Sequence, residues 1–259
     1  MRAPYRTVVI TGASSGLGAS LATAYAGPQT VLGLVARNRE RLEATASACR
    51  AAGALVETAA LDVADGPALA VWLAEFDRAH RVELVIANAG ISAGPAPDQP
   101  GEPAEVTLHQ LAINLLGAVH TIAPLVPAMC ARGRGRIAVI ASIAGLRGMA
   151  YSPGYCASKA GVRAYGEGLR AQLAQHGVGV TVVCPGFFGS RMTDHWYGPQ
   201  PFRWTGEQAA RRIRQGIDAG RRRVSFPWPL VFGMRFCDLA PAIIGDAIMR
   251  RFRFHIGPS

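Results

Sequence analysis

Tyr155 and Lys159 lie four residues apart in Tyr155-Cys156-Ala157-Ser158-Lys159. On a helix they share one face, with side chains roughly 5–6 Å apart. An ammonium held beside a phenol favours the phenolate and is expected to draw the phenol down from its reference value of about 10. A tyrosine tuned in that way can exchange a proton with a carbonyl or alcohol oxygen. Of the 27 lysine and arginine residues only Lys159 is a lysine. A guanidinium is built for planar, bidentate contacts and replaces a compact ammonium poorly. Ser142, thirteen residues before Tyr155, stands just past an expected strand, where its hydroxyl can meet the same substrate oxygen.

A second constellation suits a phosphate-bearing ligand. Thr11-Gly12-Ala13-Ser14-Ser15-Gly16-Leu17-Gly18 follows the first expected strand and opens a helix. Glycines there allow a tight turn and a close approach to a pyrophosphate, whose charge sits at the positive end of the helix. Gly12, Ser14, Ser15, Gly16, Leu17 and Gly18 are the expected contacts. An NAD site places a carboxylate at the end of the second strand; this chain has Ala36, then Arg37-Asn38-Arg39. The missing carboxylate and the guanidinium favour a 2′-phosphate, hence NADP(H) over NAD(H), with Arg37 and Asn38 beside it.

These residues need a frame. Short β-branched runs are expected as strands at Thr7–Thr11, Val31–Ala36, Ala54–Ala60, Val82–Ala87, Arg136–Ala141 and Val178–Cys184. Helices are expected at Gly16–Ala26, Asn38–Ala52, Gly66–Ala79, Glu105–Ala131 and Gly154–His176, with Arg39 and Glu43 on the outer face of the second. Strands apolar on both faces, each followed by a helix, imply a parallel sheet covered on both sides. The expected fold is a three-layer, doubly wound α/β (Rossmann) fold with a mostly parallel sheet of about seven strands. No linker or repeat divides residues 1–259, so one domain is expected.

With these motifs the chain resembles the short-chain dehydrogenase/reductase family, in its short single-domain branch. Asn88-Ala89-Gly90 is similar to the family's N-A-G element, Asn114 to its helix-borne asparagine, and Ser142, Tyr155 and Lys159 to its serine and Y-x-x-x-K pair. Asp62-Val63 resembles its adenine-contacting pair, and Pro185-Gly186 with Phe188 and Ser190 the turn at the nicotinamide end. The resemblance implies an oxidoreductase interconverting a carbonyl and an alcohol, most often as a reductase with NADPH. Tyr155 would be the proton donor, Ser142 the holder of the oxygen, Lys159 the tuning ammonium and ribose contact, and Asn114 the support of a proton-relay water. It also implies a homodimer or homotetramer. The competing reading is a non-catalytic dinucleotide sensor or scaffold, which the intact Tyr/Lys/Ser set disfavours.

The stretch 187–204 is the family's mobile substrate loop. Phe187, Met192 and Trp196 are its expected substrate contacts, and its aromatics suit an apolar substrate as well as they suit core or interface packing. His195 is read as a loop residue. The tail 228–254 repeats apolar residues at helical spacing (Phe232, Phe236, Leu239, Ile243), and Pro241 divides it into two short helices. From Arg221 to Arg253 there are seven arginines and two aspartates. Either the sheet core or a partner subunit covers this arc, or the tail lies over the substrate cavity and touches anionic lipid.

Composition narrows the remaining classes. Half the residues are hydrophobic and only 17% charged, which suits a sizeable core and not disorder. The five cysteines are odd in number and without a C-x-x-C pair, so neither disulfides nor a metal site is expected. The net charge of +10 is almost wholly arginine, and without a nucleic-acid-binding signature it argues for no nucleic-acid partner. No unbroken apolar run reaches the ~18 residues of a membrane span, and the N-terminus has no signal-type core. A cytoplasmic protein is expected, with peripheral contact at the inner membrane face through the tail.

Overall fold

The computed structural model describes residues 5–95, 99, 101–190, 193, 196–251 and 255–256. Seven strands form one sheet: β1 (Thr7–Thr11), β2 (Val31–Val35), β3 (Leu55–Ala59), β4 (Leu84–Ala87), β5 (Gly135–Ile140), β6 (Val178–Pro185) and β8 (Arg223–Phe226). Their order is β3-β2-β1-β4-β5-β6-β8, and every pairing is parallel. The order reverses between β1 and β4, which opens a crevice at the carboxyl ends of those strands.

Alternation along each strand supplies two cores. On β1, Val8 and Ile10 face one side and Val9 the other, and all three are fully buried. The first side packs under α1 (Gly16–Tyr25), α2 (Arg39–Ala51) and α8 (Gly206–Asp218) through Leu21, Leu42 and Ile213. The second packs under α3 (Gly66–His80), α5 (Gly117–Ile122) and α7 (Pro153–Leu173) through Leu73, Ile122 and Val162. Glu43 of α2 pairs with Arg50, not with Arg39.

The stretch expected as one helix from Glu105 to Ala131 is broken. It comprises α4 (Ala104–Leu111), a π-helical turn at Ala112–Leu116, α5 and α6 (Val126–Ala131). Pro124 and Pro127 lack the N–H groups a continuous helix needs, which separates the last two pieces. The π turn centres on Asn114, whose side chain is turned inward. An 18-residue window within Ala104–Ala131 reaches a mean hydropathy of 1.6, long and apolar enough by composition to cross a membrane, although polar residues interrupt the apolar run. Here it is a core layer: Gln110, Asn114 and Thr121 are buried in it, and His120 bonds the Val63 carbonyl.

The tail forms two helices as expected, α9 (Trp228–Leu239) and α10 (Ala242–Met249), with Pro241 at the N-cap of the second. A two-stranded ribbon pairs β7 (Trp196–Tyr197) antiparallel with β9 (His255–Ile256), joining the substrate loop to the end of the chain.

Candidate active site

Glycine geometry shapes the floor of the crevice. Gly12 has φ +69°, and a Cβ there would stand 2.7 Å from the Cα of Ala89 on the neighbouring strand's loop. A Cβ on Gly18 would collide with the Gly12 carbonyl oxygen. Asn88 fastens this turn: its Nδ2 donates to the Thr11 carbonyl at 3.0 Å, while its backbone N–H donates to Thr11 Oγ1 at 3.2 Å. The helix start behind the turn is bare. Ser15 at the N-cap of α1 makes no side-chain cap bond, and the first turn holds no acidic residue. Orphan N–H groups at the positive end of a ten-residue helix leave a place for an anion.

At the end of β2, Ala36 is followed by Arg37, which lies 3.6 Å from Asp62 with both side chains well exposed. Asn38 has another duty than expected. Its Oδ1 accepts from the Arg41 N–H at 2.8 Å and caps α2. Ser190 of the loop after β6 reaches over the turn, its Cβ 3.1 Å from where a Cβ on Gly16 would fall.

The other expected residues meet across β5 and α7. Ser142 Oγ accepts from the Ala144 N–H at 3.1 Å and lies close enough to the Tyr155 hydroxyl to favour its ionised form. Lys159 is buried, donates from Nζ to the Ile140 carbonyl at 3.0 Å, and lies 5.8 Å from the centre of the Tyr155 ring. The expected direction for the phenol is reversed. Burial pushes Tyr155 up to about 12, against the pull of Ser142, and burial takes Lys159 down to about 8. Desolvation is the largest cause of both shifts, because each charged form would have to leave water.

Asn114 stands behind the crevice. Its Oδ1 accepts from the Ile91 N–H at 2.7 Å, and its Nδ2 donates to the Ile91 carbonyl and to Ser158 Oγ, both at 2.9 Å. Ser158 in turn donates to the Tyr155 carbonyl at 2.7 Å.

One cavity of about 730 Å³ gathers Gly12, Ser14, Ser15, Gly16, Leu17, Gly18, Arg37, Asn38, Asp62, Val63, Asn88, Ala89, Gly90, Ser142, Tyr155, Lys159, Pro185, Gly186, Phe187, Phe188, Ser190 and Trp196. Phe187 and Trp196 meet edge to face at 5.1 Å. Met192 and His195 lie outside the described residues. The short chain dehydrogenase family model matches residues 6–200, which cover these motifs.

The chain belongs to the short chain dehydrogenase family. It is an oxidoreductase of a family that works with a nicotinamide dinucleotide. An uncharacterized oxidoreductase of Myxococcus xanthus is 36% identical over 250 residues, 96% of this chain and 98% of that one. The ketoacyl reductase HetN of Nostoc is 36% identical over 187 residues, 70% of this chain and 63% of that protein. Among solved structures, a short-chain dehydrogenase from Sphingobium yanoikuyae in complex with NADPH is 27% identical, with a TM-score of 0.77 over 95% of this chain and 92% of that one. One from Mycobacterium paratuberculosis bound to NAD shares the fold, with a TM-score of 0.76 and 21% identity over 88% of this chain and 98% of that one.

Arg41 of this dehydrogenase's cavity is not among the residues expected from the sequence, whereas a tail over the cavity is one of the alternatives the sequence holds open. Arg41 lines the cavity beside Arg37, and their spacing of four residues across the start of α2 was the available signal. The far wall comes from the tail: Leu230, Met234 and Cys237 of α9 and Met249 of α10 line the same cavity as Ser142 and Tyr155. That tail shows apolar residues on nearly every side, so periodicity alone did not tell the cavity face from the outer one.

Proposed function

We propose that this short-chain dehydrogenase is an NADP(H)-dependent reductase of a neutral, apolar ketone or aldehyde. The observation that carries this reading is the change in character along the cavity. Among the described residues its charged lining side chains are Arg37, Arg41, Asp62 and Lys159. Outward from Ser142 and Tyr155 the described wall is Met149, Phe187, Trp196, Leu230 and Met234, all of them uncharged.

The near end fits the dinucleotide. The glycine turn leaves no room for a Cβ, the start of α1 is uncapped, and two arginines flank the place where the adenosine ribose would lie. The exposed Arg37–Asp62 contact is weak, at roughly 0–1 kcal/mol. A 2′-phosphate dianion, offering charge-assisted paired bonds, displaces it readily. The NADPH-bound Sphingobium relative supports the same preference.

A bound nicotinamide dinucleotide supplies hydride exchange with the carbonyl carbon. Ser142 donates a hydrogen bond to the carbonyl oxygen, and Tyr155 gives its phenolic proton to that oxygen as negative charge develops. Burial holds the proton on Tyr155 at neutral pH until an alkoxide forms beside it. Lys159, pinned by the Ile140 carbonyl, would hold the nicotinamide ribose of a bound dinucleotide, and Asn114 steadies the loop and helix around the pair. Similarity to HetN supports a ketoacyl-type substrate.

Cofactor consumption on 1-decalone, cyclohexanone and acetoacetate tests this reading. Expected are turnover of the neutral ketones, at least tenfold preference for NADPH over NADH, and little turnover of the acetoacetate anion. Tight NADPH binding without turnover of any carbonyl compound would establish the sensor reading instead.

Two exposed apolar faces suit different partners. Leu108 and Leu116, on the outer face of the run from α4 to the π turn, are exposed and fit a second copy meeting this one through its long helices. On the tail, Trp228, Phe232, Phe236, Leu239 and Ile243 are exposed, Leu239 at 86%. Exposed Arg235, Arg250 and Arg251 belong to the same segment, against exposed Asp238 and an Asp246 that is paired with Arg147. Like charges oppose a two-fold pairing of this face, whereas an anionic lipid surface complements it. The inner side of the same helices walls the cavity, so an apolar substrate would pass from lipid to site without crossing water. Sedimentation with phosphatidylglycerol vesicles, and not with phosphatidylcholine vesicles, is expected. The double variant Phe232→Ser, Leu239→Ser is expected to abolish it without changing the oligomer mass. A lower mass in the double variant, with no sedimentation of the wild type, would make this face a subunit contact.

A further inference from the structure

α7, the helix that carries Tyr155, begins without a cap of its own. Ser152 is its N-cap but makes no side-chain cap bond; its hydroxyl donates instead to the Ala93 carbonyl at 3.0 Å. Pro153 at the first position has no N–H to offer. The first donor needing a partner is the Gly154 N–H, immediately before Tyr155. It donates at 3.1 Å to Oε1 of Glu102, a residue 52 positions earlier in the chain.

The same carboxylate oxygen gathers two further donors. Thr107 Oγ1 donates to it at 2.6 Å and Gln110 Nε2 at 3.1 Å. Gln110 is fully buried, and its Oε1 accepts from the Ala93 N–H at 3.1 Å. A Cβ on Gly154 would run into Glu102 Oε1, so glycine at 154 admits the carboxylate. The network therefore ties three things together: the start of α4, the loop that follows Asn88-Ala89-Gly90, and the first turn of α7.

We infer that Glu102 is a positioning residue for Tyr155, capping α7 from outside its own sequence and setting the approach of the phenol to Ser142. The inference rests on the proposed reductase reading for the role of Tyr155, but the placement itself can be read without turnover. A negative charge at a helix N-terminus is favourable in its own right. Here the helix start it fixes lies one residue from the proton donor. Errors of about 1 Å at such a donor reduce rates by roughly a hundredfold.

The test compares Glu102→Ala with Glu102→Gln, which keeps an acceptor oxygen in place. In the alanine variant kcat on 1-decalone is expected to fall ten- to a hundredfold, with KM and the NADPH Kd changed less than threefold. The glutamine variant is expected to recover kcat to within about threefold of wild type. Amide exchange is read in parallel over peptides spanning 153–160 and, as control, 178–185. Glu102→Ala is expected to speed exchange at least tenfold in the first and leave the second unchanged. Thr107→Val, which removes one of the donors holding the Glu102 carboxylate and so loosens the cap, gives a milder version of the same pattern should the alanine variant fold poorly. Unchanged exchange at the start of α7 in Glu102→Ala, or in Thr107→Val if the alanine variant does not fold, overturns the positioning role. So does a kcat loss in Glu102→Gln equal to that in Glu102→Ala. If wild type reduces no carbonyl compound while the exchange pattern appears, the reductase reading fails and the cap stands.

Discussion

Gly12 and Ala89 approach so closely that a single methyl group on Gly12 would stand 2.7 Å from the Ala89 Cα. The two residues lie just past the ends of β1 and β4, the strands between which the sheet order reverses, so their contact closes the floor of the crevice. Gly12→Ala also has to hold an alanine at φ +69°, a left-handed conformation costing about 1–2 kcal/mol. It is expected to lower Tm by several degrees and to weaken NADPH binding at least tenfold. Calorimetry and a fluorescence titration check both; binding within twofold of wild type contradicts the cradle.

Tyr155→Phe is expected to keep the fold and the NADPH affinity while turnover falls by roughly 10²–10⁴. Because burial lifts the phenol to about 12, wild-type reduction should show no loss of proton donor between pH 6 and 8. Alcohol oxidation needs the phenolate and should rise with pH over the same range. An oxidation rate independent of pH, or a phenylalanine variant within tenfold of wild type, removes Tyr155 from the role.

Arg37→Ala and Arg41→Ala should each raise KM for NADPH, by about tenfold or more for a lost charged hydrogen bond, while KM for NADH moves little. Arg37→Ala also removes the charge that Asp62 pairs with. Combined with Ala36→Asp it should turn the preference toward NADH. Equal affinity of the wild type for the two dinucleotides would defeat the charge argument.

Lys159 carries a cost that depends on pH. Burial takes the ammonium down to about 8 from its usual 10.5. The folded state therefore binds fewer protons than the unfolded state between those values, and stability rises with pH through that window. Below pH 8 the full penalty applies, on the order of 3 kcal/mol. Lys159→Met is expected to be more stable than wild type at pH 7, with the difference vanishing by about pH 10.5. Comparing the two proteins by urea titration at several pH values cancels the raised cysteine and tyrosine groups they share. A difference that does not change with pH would show that the ammonium bears no such cost.

Much of this molecule was legible from spacing. The glycine turn, the strands flanking it and the Tyr155/Lys159 helix rest on local patterns, and the structure places those elements within three residues of expectation. Where tertiary contacts decide, the chain was less readable. The break at Asn114 arises because its amide grips Ile91 across the crevice, an attraction no helical periodicity reports. Asn38 lines the cavity beside Arg37, but the cap that its side chain gives α2 was not read from the sequence. The direction of the Tyr155 shift depended on how deeply α7 buries it. One signal was present and overlooked: Thr205 and Gln208 form a reciprocal capping box that announces α8. Glu102 carried no local mark, since its partner Gly154 is 52 residues away.

The burial of Lys159 also makes the protein a selective chemical reagent target. It is the only side-chain amine in the chain, and it lines the cavity that the dinucleotide is proposed to fill. Amine-directed acylating or reductively alkylating probes therefore find no lysine on the outer surface to consume them. Apart from the chain's α-amino group, whatever they attach reports on access to the crevice, and protection by NADPH becomes a readable footprint of occupancy in a crude mixture.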